Sequence, residues 1–92
     1  MRKLRWSMAA ADDLESIANY LHFNHPAFAS ATLQRMFNAT KLLKSFPFSG
    51  RVGMKSGTRE LVLSPLPYVI IYAVDEQSIH ILRFFHTAQD RQ

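Results

Sequence analysis

The 92-residue chain contains no cysteine, which excludes disulfide bonds and thiolate metal sites. No apolar run approaches the ~20 residues that a membrane-spanning helix needs. The basic start of the chain is followed by Asp12, Asp13 and Glu15, where a secretory signal would require an apolar run. These absences lead us to expect a cytoplasmic protein that does not enter a membrane.

Acidic residues are missing from a long central stretch. The acid that follows Glu15 is Glu60, and six unneutralised cations lie between them: Arg35, Lys41, Lys44, Arg51, Lys55 and Arg59. The formal net charge of the chain is +4. A field of one sign attracts an acidic partner, either nucleic acid or an acidic protein. A solvated basic face without a partner is the alternative.

Glycine is scarce as well. The three glycines, at positions 50, 53 and 57, fall within eight residues. No Walker or dinucleotide-binding motif includes them, and the chain has no Gly-x-Ser-x-Gly elbow. The cluster therefore predicts a mobile basic loop and supports neither a nucleotide cofactor nor a serine nucleophile.

Core-forming residues are abundant: 48% of the chain is apolar, including seven Phe. This length predicts a single domain over residues 1–92 with a dense core. Periodicity predicts a strand over residues 2–6 and then two helices. Ser7 is a suitable N-cap, and Asn24-His25-Pro26 ends the first helix because a residue before proline avoids helical angles. Pro26 opens the second helix, which Pro47 ends.

Three further strands are predicted in the second half of the chain. Residues 58–63 alternate in polarity, residues 68–74 are continuously apolar as in a central strand, and residues 79–85 form the last strand. The fold class is α+β, an N-terminal helical hairpin packed on a mostly antiparallel β-sheet. The other face of the sheet should be partly open, because no chain remains to cover it.

The histidines do not predict a metal site. His80 and His86 have an even offset, so we expect both on one sheet face. No carboxylate lies nearby in sequence to complete a ligand set. Loop or surface histidines are therefore the better interpretation, and no metal or other cofactor is expected.

Four segments occur in a characteristic order. They are Trp6-Ser7 with Ala11 and Asp13-Leu14, Gly50-Arg51 after Phe46-Pro47, Thr58–Leu61 leading to Pro67–Tyr72, and Ile81–His86. Together they resemble the ParE/RelE superfamily, the toxins of bacterial type II toxin–antitoxin pairs. The resemblance covers residues 4 to about 90. It implies the α+β toxin fold described above.

Within that superfamily the chain is most similar to the ParE branch. RelE-type nucleases usually place an arginine directly after the first tyrosine of the run that begins at Tyr68, and here that position is Val69. They also usually have a basic or tyrosine-bearing tail, whereas residues 87–92 contain one acid and no aromatic residue. The resemblance therefore implies a non-enzymatic toxin that blocks DNA gyrase. A ParD-like antitoxin would silence it in a hetero-oligomer that meets operator DNA only through the antitoxin.

Two alternatives remain open at this stage. One is a ribosome-dependent mRNA endonuclease, with catalytic candidates at Lys55, Arg59, Arg83 and His86. The other is a non-toxic co-repressor that only binds its antitoxin and DNA.

Two sets of binding residues are predicted. The target-binding candidates, together with the tail beyond Thr87, are Arg51, Arg59, Arg83 and His86. The antitoxin-binding candidates are Arg35, Lys41, Lys44 and Lys55. Structural roles are the alternative for several of them: Arg59 or Glu60 could anchor the loop, and Arg83 could pair with Glu60 or Asp75.

Overall fold

The computed structural model describes residues 1–88 and contains the predicted α+β architecture. Strand β1 (Lys3–Trp6) leads into helix α1 (Met8–Asn24), and helix α2 (Pro26–Leu42) follows directly. Four strands complete the fold: β2 (Arg51–Val52), β3 (Arg59–Val62), β4 (Tyr68–Val74) and β5 (Ser78–His86). The tail that we included in the target surface lies outside the described residues beyond Ala88. No helix within the described part is long and apolar enough to cross a membrane.

Local signals set the starts of both helices, but α2 ends at Leu42, ahead of the Pro47 that was predicted to end it. The Ser7 side-chain oxygen accepts a hydrogen bond from the Ala10 amide at 2.9 Å, which caps the start of α1. The Ser7 hydroxyl also donates to the Leu82 carbonyl at 2.8 Å, so the cap ties α1 to β5. Pro26 occupies the first turn of α2, where its missing N–H costs nothing. The predicted helical hairpin is confirmed.

The sheet has the strand order β1-β5-β4-β3-β2. Strand β1 runs parallel to β5, and the other neighbours are antiparallel. Both helices pack on one face, which we call the helix face, and the core lies between them and the sheet. Its fully buried side chains include Met36, Leu43, Ile70, Tyr72 and Ile81. We call the opposite side the open face.

The glycine cluster was predicted as a loop, and this prediction is wrong at one point. Arg51 and Val52 form the short strand β2, which pairs with Glu60 and Arg59 of β3. Two residues are too few to produce a periodic pattern, so only the pairing reveals the strand.

A β-bulge in β5 changes which side chains share a face. Arg83 pairs with Ile71 and Ile81 pairs with Tyr72, so Leu82 has no opposite residue. The extra residue reverses the alternation along the rest of the strand. The helix face therefore receives Ile81, Phe84 and His86, and the open face receives His80, Arg83 and Phe85.

One prediction fails for this reason, because His80 and His86 do not share a face. Arg83 and Phe85 both follow the bulge and lie on the same face, opposite to that of Ile81.

Candidate functional site

The end of β5 is fixed to α1 by Asp13. The Asp13 carboxylate accepts hydrogen bonds from Arg83 Nε at 2.7 Å, from Arg83 Nη2 at 2.9 Å and from the Phe84 amide at 3.0 Å. This contact is possible because the pairing of β1 with β5 ends at Ile81. Beyond Ile81 this edge of β5 has no neighbouring strand in the described part of the chain, and α1 contacts it instead. The hydrogen bonds to Asp13 raise the pKa of the Arg83 guanidinium, which therefore stays charged. The partner of Arg83 is thus Asp13, and the predicted pairing with Glu60 or Asp75 is wrong.

Arg83 also contacts the open face. Its guanidinium carbon lies 4.8 Å from the centre of the Phe85 ring, at a distance where a cation attracts an aromatic face. The side chain is 45% exposed, whereas that of Asp13 is 17% exposed. Arg83 consequently lines cavities on both sides of the strand edge and is available to a partner while it remains ion-paired.

The cavity on the helix face has a volume of about 380 Å³. It lies between α1 and the ends of β4 and β5, and its walls include Ile17, Tyr20, Tyr68, Phe84 and His86. A neighbouring cavity of about 220 Å³ shares Tyr20, Tyr68 and His86 and continues towards the hairpin link at His25. Burial, followed by the nearby Tyr20 hydroxyl, raises the pKa of Tyr68, so its hydroxyl remains a neutral donor. This amphipathic cleft could receive an apolar side chain with one polar end.

The open face carries a row of paired positions across four strands. In the order β2, β3, β4 and β5, they are Arg51, Glu60, Ile71 and Arg83. The Glu60 side chain is only 6% exposed and accepts a hydrogen bond from Arg51 Nη2 at 3.0 Å. A cavity of about 180 Å³ at this row is lined by Lys55, Glu60 and Arg83, among others. Two cations and one carboxylate therefore meet at this cavity.

Arg59 lies on the helix face and anchors the loop. Its Nη1 donates to the Gly50 carbonyl at 2.8 Å, and its guanidinium carbon lies 4.9 Å from the Phe48 ring centre. Glu60, on the opposite face of β3, holds Arg51. The loop-anchoring alternative is therefore confirmed for both residues.

His86 also lies on the helix face, with its ring edge-on to Tyr68 at 5.6 Å. Its Nδ1 accepts a hydrogen bond from the Ala88 amide at 3.1 Å. The four target-binding candidates are thus divided between the faces: Arg51 and Arg83 lie on the open face, and Arg59 and His86 lie on the helix face. The structure does not gather them into one patch.

Three of the four antitoxin-binding candidates lie apart from this strand end, whereas Lys55 lines the open-face cavity with Arg83. Arg35 and Lys41 are exposed on α2, Lys44 is half-buried just after it, and Lys55 is exposed in the β2–β3 connection. No ion pair within residues 1–88 involves any of them. Their role as antitoxin contacts stays a prediction.

Sequence reasoning missed Asp13 as a site residue. Asp13 entered the sequence analysis only as an acid that argues against a secretory signal and as part of one family-like segment. One signal for it was available, because the predicted first strand is shorter than the predicted last strand. Backbone N–H and C=O groups along the unpaired edge of the last strand therefore need other hydrogen-bond partners.

His80 pairs with one carboxylate, that of Asp75, at the β4–β5 turn. His80 Nε2 lies 2.8 Å from Asp75 Oδ2, and this hydrogen bond is the largest cause that lowers the pKa of Asp75. Across residues 1–88, no three His, Cys, Asp or Glu side chains come together in a way that could hold a metal ion.

Comparison with known proteins gives one consistent family. A family model described as the ParE toxin of the type II toxin–antitoxin system parDE matches residues 4–91. Toxin RelE2 of Caulobacter vibrioides is 35% identical over 89 residues, which cover 97% of this chain and 99% of that protein. A structure from the chromosomal ParDE system of P. aeruginosa has a TM-score of 0.83 at 28% identity, covering 94% of this chain and 96% of the other.

A more distant structural neighbour is a chain of the E. coli DinJ–YafQ toxin–antitoxin complex. Its TM-score is 0.65 at 16% identity, over 95% of this chain and 93% of the other. At that identity the similarity shows a shared fold alone.

Proposed function

The chain belongs to the ParE toxin family of type II toxin–antitoxin systems, and from this membership we propose that it inhibits DNA gyrase and is held inactive by a cognate antitoxin. The toxin would act by binding, without a catalytic site of its own. The solved relative from the ParDE system supports an antitoxin as partner.

One observation carries the non-enzymatic part of the proposal: the four nuclease candidates do not meet at one place. RNA cleavage without a metal needs a base, an acid and a phosphate-stabilising cation around one phosphate. Arg83 meets His86 in the helix-face cavity and Lys55 in the open-face cavity, and Arg59 lines neither cavity. Arg83 is in addition ion-paired with Asp13. Such a division favours a toxin that acts by protein contact.

The open-face cavity favours one second candidate function. It brings Lys55, Glu60 and Arg83 to one place, and a carboxylate beside two cations could serve as a base next to a bound phosphate. A ribosome-dependent mRNA endonuclease is therefore the alternative proposal, and the related toxin RelE2 carries the name of that branch.

An experiment with two readouts separates these candidates. The purified chain is added to gyrase with relaxed plasmid and, in parallel, to ribosomes translating a defined mRNA. We expect supercoiling to stop while the mRNA stays intact. Codon-specific cleavage that disappears in Glu60→Gln and persists in the exposed control Glu76→Gln would reject the gyrase proposal. Inactivity in both assays would favour the co-repressor.

A further inference from the structure

Two arginines from distant parts of the chain converge on one exposed aromatic ring. The guanidinium carbon of Arg2 lies 5.7 Å from the Phe48 ring centre, and that of Arg59 lies 4.9 Å from the same centre. The Phe48 side chain remains 60% exposed. This cluster lies outside the three cavities described above, and the sequence did not point to Arg2 or Phe48 as binding residues.

Both guanidinium groups are held in place by neutral acceptors. Arg2 Nε donates to the Asp75 carbonyl at 2.7 Å, and Arg59 Nη1 donates to the Gly50 carbonyl at 2.8 Å. A carbonyl carries no formal charge, so it orients a cation without neutralising it. Within residues 1–88 neither arginine forms an ion pair, whereas Arg51 and Arg83 each have a carboxylate partner.

An added anion would stabilise this arrangement. Two like charges beside one ring repel each other, and each has lost some side-chain freedom to its carbonyl. A phosphate that bridges the free N–H groups would relieve the repulsion. The planar fork of arginine matches phosphate geometry, and the ring holds that fork in a fixed orientation.

Residues close to this cluster in sequence favour a nucleic acid strand over a single phosphate as the ligand. Phe46 is 62% exposed, and its ring offers a surface on which a base could stack. Lys41 and Lys44 precede it, and no acid occurs between Glu15 and Glu60. An alternation of cations and exposed aromatic rings is typical of proteins that bind single-stranded nucleic acid.

We propose that Arg2, Phe48 and Arg59 form a binding site for the phosphodiester backbone of a nucleic acid strand. A base of the same strand would stack on Phe46. The site goes beyond the proposed function, because it gives the toxin a contact with nucleic acid itself and does not depend on which enzyme the toxin inhibits.

The test measures binding of a short fluorescein-labelled single strand of mixed sequence by fluorescence anisotropy, with the matching duplex in parallel. The decisive pair of variants is Arg2→Ala and Arg35→Ala, because each removes one cation and only the first belongs to the cluster. We expect Arg2→Ala to weaken binding about tenfold, as loss of a charge-assisted hydrogen bond does. Its salt slope should fall by about 0.7, the value for one single-strand phosphate. Arg35→Ala should change affinity by less than about twofold.

A second variant distinguishes geometry from charge. Arg59→Lys keeps the charge but loses the bidentate fork, so we expect it to weaken binding to single strands while circular dichroism and the melting temperature confirm the fold. Three outcomes would overturn the proposal: no binding by the unmodified protein, equal losses in Arg2→Ala and Arg35→Ala, or equally strong competition by polyglutamate. The last outcome would identify an acidic protein as the ligand. None of these readouts involves gyrase, so this proposal can fail while the proposed function stands.

Discussion

The hydroxyl of Tyr72 is hydrogen-bonded to the backbone amide of Gly50 at 2.9 Å, across 22 positions of sequence. The same hydroxyl donates to the Pro47 carbonyl at 2.8 Å, and the Tyr72 side chain is fully buried. One phenol therefore holds both ends of the segment 47–50, which lies between α2 and β2. That segment contains Phe48, so the bond also positions the proposed nucleic-acid site.

Replacing Tyr72 with Phe should destabilise the fold. The change leaves the buried Gly50 amide and Pro47 carbonyl without this partner, which costs about 1–3 kcal/mol in the free energy of unfolding. The matched control is Tyr68→Phe, because the Tyr68 hydroxyl makes no hydrogen bond within the described residues. Urea unfolding of both variants checks the prediction, and equal losses would contradict it.

Gly50 has no room for a side chain. A Cβ atom there would lie 2.8 Å from the Glu60 carbonyl oxygen, which is backbone and cannot rotate away, and 2.7 Å from the Tyr72 hydroxyl. We expect Gly50→Ala to lower the free energy of unfolding by about 1–3 kcal/mol through overpacking. Ser49→Ala, at the exposed neighbour, should stay within about 0.5 kcal/mol of the unmodified protein. A Gly50→Ala melting temperature equal to that of the control would refute the steric argument.

Asp13 should matter more for stability than its partner Arg83. Arg83→Ala removes a half-exposed ion pair, which contributes about 0.2–1 kcal/mol. Asp13→Ala removes the same pair and also leaves the Phe84 amide without its acceptor, which adds about 1–3 kcal/mol. Chemical denaturation measures both losses. The reverse ranking would show that Asp13 does not fasten β5 to α1.

The same two variants test whether Arg83 contacts the target. If it does, Arg83→Ala should abolish growth inhibition while antitoxin binding and the fold persist. Asp13→Ala keeps the Arg83 guanidinium and removes its ion-pair partner. This variant should therefore inhibit growth more strongly than Arg83→Ala, although its fold is less stable. An Arg83→Ala protein that folds and still stops growth would move the target surface elsewhere, most simply to the helical hairpin around Arg35 and Lys41.

The secondary structure was largely predictable because its signals are local. The bounds of β4 were obtained from one continuous apolar run, and both helix starts from Ser7 and Pro26. The bulge was not predictable, since Leu82 is as apolar as its neighbours and only pairing with β4 shows it to be the extra residue.

The candidate site was less accessible from sequence for a related reason. The contacts Asp13–Arg83 and Arg2–Phe48 join residues far apart in the chain, and neither pair carries a local pattern. The excess of positive charge was visible. The topology of the fold decides which cations have a carboxylate partner. In the described residues Arg51 and Arg83 have one, whereas Arg2 and Arg59 do not.

The β4–β5 turn should respond to acid. The hydrogen bond from His80, followed by those from the Gln77 and Ser78 amides, lowers the pKa of Asp75 from its ordinary value of 3.8. A carboxylate with a lowered pKa stabilises the fold above its unfolded pKa, and this contribution is lost as pH falls through the lower folded value. We expect Asp75→Asn to remove that part of the acid sensitivity.

The measurement for Asp75 is the urea midpoint at a series of pH values from neutral to below 3.8. The difference between unmodified protein and Asp75→Asn should shrink as the solution is acidified. Glu76→Gln, at the next and exposed position, serves as the control for a changed surface charge. A difference that is independent of pH would rule out this role for Asp75.

Antitoxin binding should weaken as salt rises. The acid-free stretch leaves Arg35, Lys41, Lys44 and Lys55 without ion-pair partners in the described structure, so an acidic segment that folds across α2 would gain attraction between surface charges. Calorimetry at several salt concentrations measures the dissociation constant of the antitoxin complex. Lys41→Ala is compared with Ser30→Ala, a control at an exposed and uncharged position of α2. A dissociation constant that does not vary with salt would show that the charge pattern is incidental.

The parallel pairing of β1 with β5 also sets when the domain can be finished during synthesis. Residues 3–6 are made well before their hydrogen-bonding partners at positions 78–81. Contacts of such large sequence separation form only after a long loop has closed. A nascent chain can build its helical hairpin early, but it cannot fix α1 against β5 until the last strand has left the ribosome. The surface around Arg83 that we predict to contact the target therefore cannot form until β5 has been made, which gives an antitoxin time to be ready.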